Sequence, residues 1–465
     1  MSIYQHKQIC TITLKLSLLL IIASSTAFAA KNVIVMIADG WGFNTVLASN
    51  YYNGVTSQSY QKFPVTLAMS HYSAGTMKKL YAEEEPPNQQ VYNPKLVWSV
   101  WEWVMKRATD SAAAATAIST GVKTRNQRLG VDSDGRRIAN LAERAKKTGK
   151  SIGVVSSVEF SHATPAGFLI HNTHRKNYRE IAQAMIDSSN ADVIIGCGHP
   201  LYDDNGNPIP EANLTDKSYE WVGGKEQWLN IVSGKAGGTS PFTFVETVAQ
   251  FQEIAHGEEV PKRLLGIPRV HETLQCRRTP HPKGNDTVTQ PYSQPRNRDV
   301  PSLALLSVAS LQTLRQNRNG FFVMIEGGAI DWAGHDNWQA RLIEEMDEFN
   351  AAVDSVVRWI ETNSSWDETL LIVTGDHETG YLWGPGSGAN SQPMWQPLID
   401  NGKGKLPGMW FCSDSHVNSV IPFYAKGAEA FRFNELAKYT DPVWGKYLDN
   451  TDIFHVCNTL LAETR

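Results

Sequence analysis

The segment NVIVMIAD, Asn32 to Asp39, is an unbroken apolar run that ends on a single carboxylate. It does not alternate polar with apolar residues, so both faces of the strand it predicts must be covered. Five further runs read the same way: SIGVVSS (Ser151–Ser157), DVIIGCG (Asp192–Gly198), GFFVMIEGG (Gly320–Gly328), TLLIVTGD (Thr369–Asp376) and SVIPFYAKG (Ser419–Gly427). Between them lie helical patterns such as RIANLAERAKKTG, YREIAQAMIDSS and ARLIEEMDEFNAAVDSVVRWIETN. Buried strands alternating with helices predict an α/β protein, a three-layer sandwich with a central, mostly parallel sheet between helices. Residues 199–300, rich in Pro, Gly, Asn and charge, and residues 381–413, rich in Gly, Pro and Trp, read as long surface insertions in one domain over 30–465. A loop as long as the second is usually functional or interface-forming.

Composition narrows the function. The 465 residues are 42% hydrophobic and 19% charged, the balance of a soluble globular chain. A net charge of −4 argues against nucleic acid as a partner. Near the N-terminus, Lys7 and Lys15 precede an apolar run, Leu16–Ile22, followed by ASSTAFAA. That pattern predicts a signal peptide over residues 1–29 and export to the periplasm or the medium; the run is too short to be a membrane span. Its removal takes two lysines and no acid, which moves the net charge to about −6. Cys10 leaves with it. The four remaining cysteines, Cys197, Cys276, Cys412 and Cys457, fit no compact zinc motif and allow three pairings among which sequence does not choose.

The chemistry gathers where ligands bind in such sheets, beyond the carboxyl ends of the strands. Asp39, Glu326 and Asp376 each stand at the end of an apolar run. One such acid commonly caps a turn, but several in one crevice are costly unless cations neutralise them. Asp331 and His335 in AIDWAGHDN are four apart, so a helical turn aims both the same way. His377 follows Asp376, and His416 precedes the last long apolar run. Mixed Asp and His ligands suit zinc or a similar metal, whereas an all-oxygen set suits magnesium. The stretch ATDSAAAATAISTG (Ala108–Gly121) adds a serine at the start of a thin, alanine-rich helix. Read alone, Asp110 or Thr109 would simply cap that helix. Beside metals, Ser111 would sit where the helix N-terminus favours an anion, able to ionise and attack phosphorus.

Taken together, DSAAAATAISTGVKT, IADGWG, SHATPAGF, HRKNY, EGGAIDWAGH, TGDHETG and SHVNS resemble the signatures of the alkaline phosphatases over nearly all of the mature chain. The resemblance implies hydrolysis of phosphate monoesters, with Ser111 as the nucleophile that becomes phosphoserine. It implies one zinc on Asp331, His335 and His416, and a second on Asp39, Asp376 and His377. Asp39 would bridge to a third metal with Thr164 and Glu326, and Arg175 would clamp the phosphate through two parallel hydrogen bonds. His162 and Trp332, both expected near the phosphate, stand where the best-known bacterial pattern has an aspartate and a lysine. This pair is similar to the marine and cold-active, Vibrio-type branch. Magnesium is the expected third metal, with cobalt or a third zinc as alternatives because imidazole suits softer ions. The lost lysine charge predicts faster product release. The resemblance also implies a homodimer, with the 381–413 loop as a subunit-embracing insertion.

Three rival functions fit the residues less well. A sulfatase needs a C/S-x-P-x-R context that DSAAA lacks, and a phosphodiesterase on the same fold needs room for a second ester group where Arg175 would clamp oxygens. A non-catalytic exported protein that binds phosphate or metal would be expected to have lost Ser111 or a ligand, and none is missing.

Overall fold

The computed structural model of the chain describes residues 30–75, 91–106, 108–279 and 290–462. The signal peptide expected over residues 1–29, with Cys10, lies outside the described residues. Eight strands precede the last third of the fold: β1 Asn32–Ala38, β2 Val65–Ser70, β3 Ser151–Glu159, β4 Val193–Cys197, β5 Thr243–Val245, β6 Leu264–Gly266, β7 Phe321–Gly327 and β8 Thr369–Thr374. Four two-residue strands follow, β9 Glu378–Thr379, β10 Leu382–Trp383, β11 Trp410–Phe411 and β12 His416–Val417. The chain then adds β13 Ile421–Gly427, β14 Tyr439–Asp441 and β15 Gly445–Asp449.

Eleven of these form one sheet in the order β14-β15-β2-β13-β8-β1-β7-β3-β4-β6-β5. The six apolar runs of the sequence are β1, β3, β4, β7, β8 and β13. From β8 to β5 every pairing is parallel, while β13 runs antiparallel to both β8 and β2. Helices cover both faces. The Leu303–Leu314 and Gln339–Asn363 helices pack on one side, and the Leu141–Lys147 and Ala163–Leu169 helices on the other, with the Ser111–Thr120 helix outside Ala163–Leu169. β1 and β7 are buried at every residue, which is why their sequences carry no alternation.

Two expectations are refined. The 199–300 stretch is not wholly a surface insertion, because it supplies β5 and β6 to the far edge of the sheet. Three residues each are too few for a periodicity to register. The 381–413 excursion packs on its own chain through a second, aromatic core. Trp395 lies 5.3 Å from Trp98, Tyr381 lies 5.4 Å from Trp101, and Trp395 Nε1 donates to the Tyr381 hydroxyl at 2.7 Å. Among the described residues, Cys197, Cys276, Cys412 and Cys457 are all free, and no helix is long and apolar enough to cross a membrane.

Candidate active site

Register assembles the site before any side chain is considered. Ile37 of β1 pairs with Glu326 of β7, which pairs with Ser156 of β3, and on the other flank Ile37 pairs with Thr374 of β8. Asp39, Glu326 and Asp376 therefore emerge at one level from adjacent parallel strands. The turn after β1 is tight: Gly40 has φ of 79°, and a Cβ there would lie 2.6 Å from Asp331 Cα. Only glycine lets the two backbones approach so closely. His416 arrives through a separate device. The β9–β12 ribbon pairs it with Thr379, two residues beyond His377.

Ser111 is the first residue of the Ser111–Thr120 helix, all ten residues of which are buried. Asp110 is the N-cap, as the plain reading of the sequence had it, its Oδ1 accepting from Ala113 N–H at 3.0 Å. Ser111 Oγ stands 3.1 Å from His377 Nε2. The same nitrogen lies 3.2 Å from Asp376 Oδ2 and 3.4 Å from Asp39 Oδ1.

A second group surrounds Asp331 Oδ1, with His416 Nε2 at 3.4 Å and His335 Nε2 at 3.5 Å. Each of these imidazoles has its Nδ1 on a backbone carbonyl, His335 on Asp414 at 2.7 Å and His416 on Thr109 at 2.9 Å. A carbonyl only accepts, so Nδ1 carries a proton and each ring turns its Nε2 edge inward. The two Nε2 atoms face each other at 3.0 Å. Two ring nitrogens held that close, next to a carboxylate, are placed to share a cation.

Two clusters have ligand atoms close enough to share an ion: Asp331 with His335 and His416, and Asp39 with Asp331 and His377. The first is the set expected from sequence. In the second, Asp331 takes the place expected for Asp376, while Asp376 stays in contact with the same imidazole, so Asp331 stands between the two clusters. A third group contains Thr164, whose hydroxyl donates to Asp39 Oδ2 at 3.2 Å, and Glu326, which accepts from the Ser156 hydroxyl. His162 borders it as the residue preceding the Ala163–Leu169 helix.

Electrostatics makes the same case. Burial, reinforced by Asp376, Asp331 and Glu326, raises Asp39 well above the usual carboxylate range. Burial, with Asp331 beside it, pushes Asp376 up to about 7. Glu326 also rises to about 7 through burial, against the Ser156 hydrogen bond that favours its charge. Burial likewise opposes the charge of Asp331, but His335 and His416 prevail and hold its pKa well below the ordinary value. His377 is kept neutral by burial and by His416. Asp39 Oδ1, Asp376 Oδ2, Glu326 Oε1 and His162 Nδ1 are buried with no hydrogen-bond partner among the described residues. Orphaned buried acceptors on three carboxylates fit divalent cations, which would satisfy the oxygens and reverse the pKa rise.

Arg175 is largely but not fully buried, at the edge of this nest. Its Nη1 donates to Asp110 Oδ2 at 3.2 Å, and its Nη2 lies 3.4 Å from His162 Nε2. Trp332 stands edge-on to His162, with ring centroids 5.8 Å apart. The structure thus brings together all the residues singled out in the sequence. It also adds roles that sequence reasoning left unassigned. Asp110 anchors Arg175 as well as capping a helix. Thr379 donates to Asp331 and lies 3.3 Å from His377 Nδ1, and Ser156 holds Glu326. Asp110 and Thr379 lie inside the signature stretches; Ser156 carried no signal beyond its place in an apolar strand.

A family model described as alkaline phosphatase matches residues 30–421. Alkaline phosphatase 4 of Bacillus subtilis is 28% identical over 378 residues, covering 79% of this chain and 66% of the relative. Alkaline phosphatase 3 of the same organism is 30% identical over 75% of this chain and 61% of its own length. The chain therefore spans somewhat less than two thirds of these two curated relatives. Among solved structures, the alkaline phosphatase of the Antarctic bacterium TAB5 shares the fold, with a TM-score of 0.62 and 23% identity over 94% of this chain and 100% of the other. A cold-active alkaline phosphatase of Shewanella sp. matches with a TM-score of 0.61 and 25% identity over 93% of this chain and 100% of the other.

Proposed function

The chain belongs to the alkaline phosphatase family, and from that premise we propose that it hydrolyses phosphate monoesters to an alcohol and inorganic phosphate through a phosphoserine on Ser111. The observation that carries the proposal is the position of Ser111 Oγ. It lies at a buried helix N-terminus, 3.1 Å from His377 Nε2, a member of one of the two ligand clusters.

In the first step the Ser111 oxygen attacks phosphorus, the bond to the ester oxygen breaks in line, and the alcohol leaves with a proton. In the second, water attacks the phosphoserine from the side the alcohol left, and Ser111 regains its proton. The Ser111 helix presents unpaired backbone N–H groups and the positive end of its dipole to the phosphoryl oxygens. Arg175, fixed by Asp110, offers its planar fork of donors to two of those oxygens. Its own charge is secure, because Asp110 outweighs the burial that would lower its pKa.

The proposed cofactors are two zinc ions, one on Asp331, His335 and His416 and one on Asp39, Asp376 and His377, plus a magnesium ion near Asp39, Thr164 and Glu326. Cobalt or a third zinc is the alternative there, since His162 borders that site. Bound metal supplies positive charge that stabilises the attacking and leaving oxygens and makes ionised oxygen nucleophiles available, which favours an alkaline optimum. Little selectivity for the alcohol is expected, because the charged groups address the phosphoryl end. A homodimer, exported to the periplasm or medium, completes the proposal.

Metal content per purified chain, measured while p-nitrophenyl phosphate turnover is followed through stripping and restoring of metals, tests this reading. Two zincs and one magnesium, with activity following zinc and abolished in Ser111→Ala, support it. A protein with no tightly held metal and no turnover overturns it.

A further inference from the structure

We propose that Arg277 is a positioning residue for phosphate, acting through Trp332 and His162 on Arg175; the inference rests on the phosphatase reading above. Arg277 lies about a hundred residues from Arg175 in sequence and in none of the signature stretches. Its segment is nevertheless tied to the site. Its backbone N–H donates to Thr273 Oγ1 at 2.8 Å, and Thr273 bridges to Val158 near the end of β3, the strand that leads into His162.

The side chain makes three contacts. Nη1 donates to Asp336, Nε stands 3.7 Å from Glu272 Oε2, and the guanidinium carbon lies 4.9 Å from the centroid of the Trp332 ring. Asp336 directly follows the Ala329–His335 helix, and its N–H donates to Trp332 O at 3.0 Å. Arg277 thus grips both the end of the helix that carries Asp331, Trp332 and His335 and the face of one of its side chains.

From Trp332 the contact passes edge-on to His162, and from His162 Nε2 to Arg175 Nη2 at 3.4 Å. The anchors of Arg175 are therefore unequal. Asp110 holds one arm by a charged hydrogen bond, and the other arm rests on an imidazole whose place depends on Trp332. Two carboxylates already offset the charge of Arg277, so its field at the phosphate is weak. Its effect is to fix the ring, and through the ring the angle of the Arg175 fork.

An effect of that kind falls on binding shared by ground state and transition state, which changes KM and phosphate affinity while sparing kcat. The experiment compares the full-length mature enzyme with Arg277→Met, Arg277→Lys, Trp332→Ala and the Arg277→Met/Trp332→Ala pair. Inorganic phosphate affinity is read by calorimetry, KM and kcat with p-nitrophenyl phosphate, and metal content per chain. Arg277→Met is expected to weaken phosphate binding and raise KM about three- to tenfold, with kcat within about twofold and metal content unchanged. Arg277→Lys, which keeps the cation over the ring, should restore most of the loss. In the Trp332→Ala background Arg277→Met should add less than about twofold, because the ring through which it acts is gone. Unchanged phosphate affinity, an undiminished effect without the ring, or a loss that tracks metal content each overturns the proposal. If Arg277→Met does not fold, Asp336→Asn loosens the same guanidinium, and normal KM and phosphate affinity there overturn it equally. Failure of the phosphatase reading looks different, since the unsubstituted enzyme would then neither turn over the ester nor bind phosphate.

Discussion

Gly167→Ala adds a single methyl group where the structure has no room for it. Its Cβ would lie 2.8 Å from Ala115 Cβ and 3.6 Å from Leu129 Cδ2. Ordinary carbon contact needs about 3.5–4 Å, so one neighbour must retreat by about 1 Å. Ala115 has no rotamer with which to do so, and the whole Ser111–Thr120 helix must therefore move away from Ala163–Leu169. Each helix carries a site residue near its N-terminus, Ser111 four positions before Ala115 and Thr164 three before Gly167. Overpacking of this kind costs about 1–3 kcal/mol, and replacing a helical glycine by alanine returns about 1. Stability should thus fall by no more than about 2 kcal/mol. Activity should fall far more, because a 1 Å displacement of reacting groups can cost up to about 100-fold. The assay is kcat with p-nitrophenyl phosphate beside denaturant unfolding, repeated in Gly167→Ala/Ala115→Gly, which moves the methyl to the other helix. A tenfold or greater loss of kcat in the single variant, largely recovered in the double, is the expected outcome. Full activity in the single variant, or no recovery in the double, would falsify the claim that this contact sets the position of Ser111.

Asp110→Asn keeps a cap for Ala113 N–H but replaces the charged partner of Arg175 by a neutral one. Phosphate inhibition should weaken several-fold, with stability changed by less than about 1 kcal/mol; unchanged inhibition would show that Asp110 serves only the helix. Glu345 is buried, and its carboxyl is pushed up to about 7 by burial and by Glu348, against 4.5 for the free side chain. The folded state then binds the extra proton between about pH 4.5 and 7, so this group makes stability fall as pH rises through that window and level off above it. Glu345→Gln should raise stability at pH 8 by at most about 3 kcal/mol relative to its effect at pH 4, measured by denaturant unfolding at both. An effect equal at the two pH values sinks the assignment. In the metal-free protein, Asp376 and Glu326 titrate near 7, so loading zinc and magnesium at pH 6 must displace their protons. Calorimetry in buffers of different ionisation enthalpy should show more protons released at pH 6 than at pH 8.

The fold was legible because burial wrote itself into the strands. β1, β3, β4, β7 and β8 are covered on both faces, so apolar residues dominate them, and the runs stood out as blocks. What escaped was short or aromatic. β5 and β6 have three residues each, and their pairing is set by β4 rather than by any pattern of their own. The tryptophans of the 381–413 excursion meet Trp98 and Trp101, nearly three hundred residues earlier, and nothing local to either stretch announces the other.

The site divided along the same line. A residue whose chemistry requires its type, such as Ser111, His335 or Asp376, is visible in a single sequence, because its place at a strand or helix end has no better explanation. A residue that works by holding another is not visible, because many types could do the holding and only the fold says what is near. Asp110 was read as a cap and is a cap, yet its second carboxylate oxygen accepts from Arg175, sixty-five residues on. His335 and His416 show why that matters for metal. Their Nε2 atoms converge only because Asp414 and Thr109 offer backbone carbonyls to the opposite nitrogens, and a carbonyl leaves no trace in the sequence. The ligands were therefore written in residue types, but the ring orientation that turns each Nε2 inward was written in the backbone.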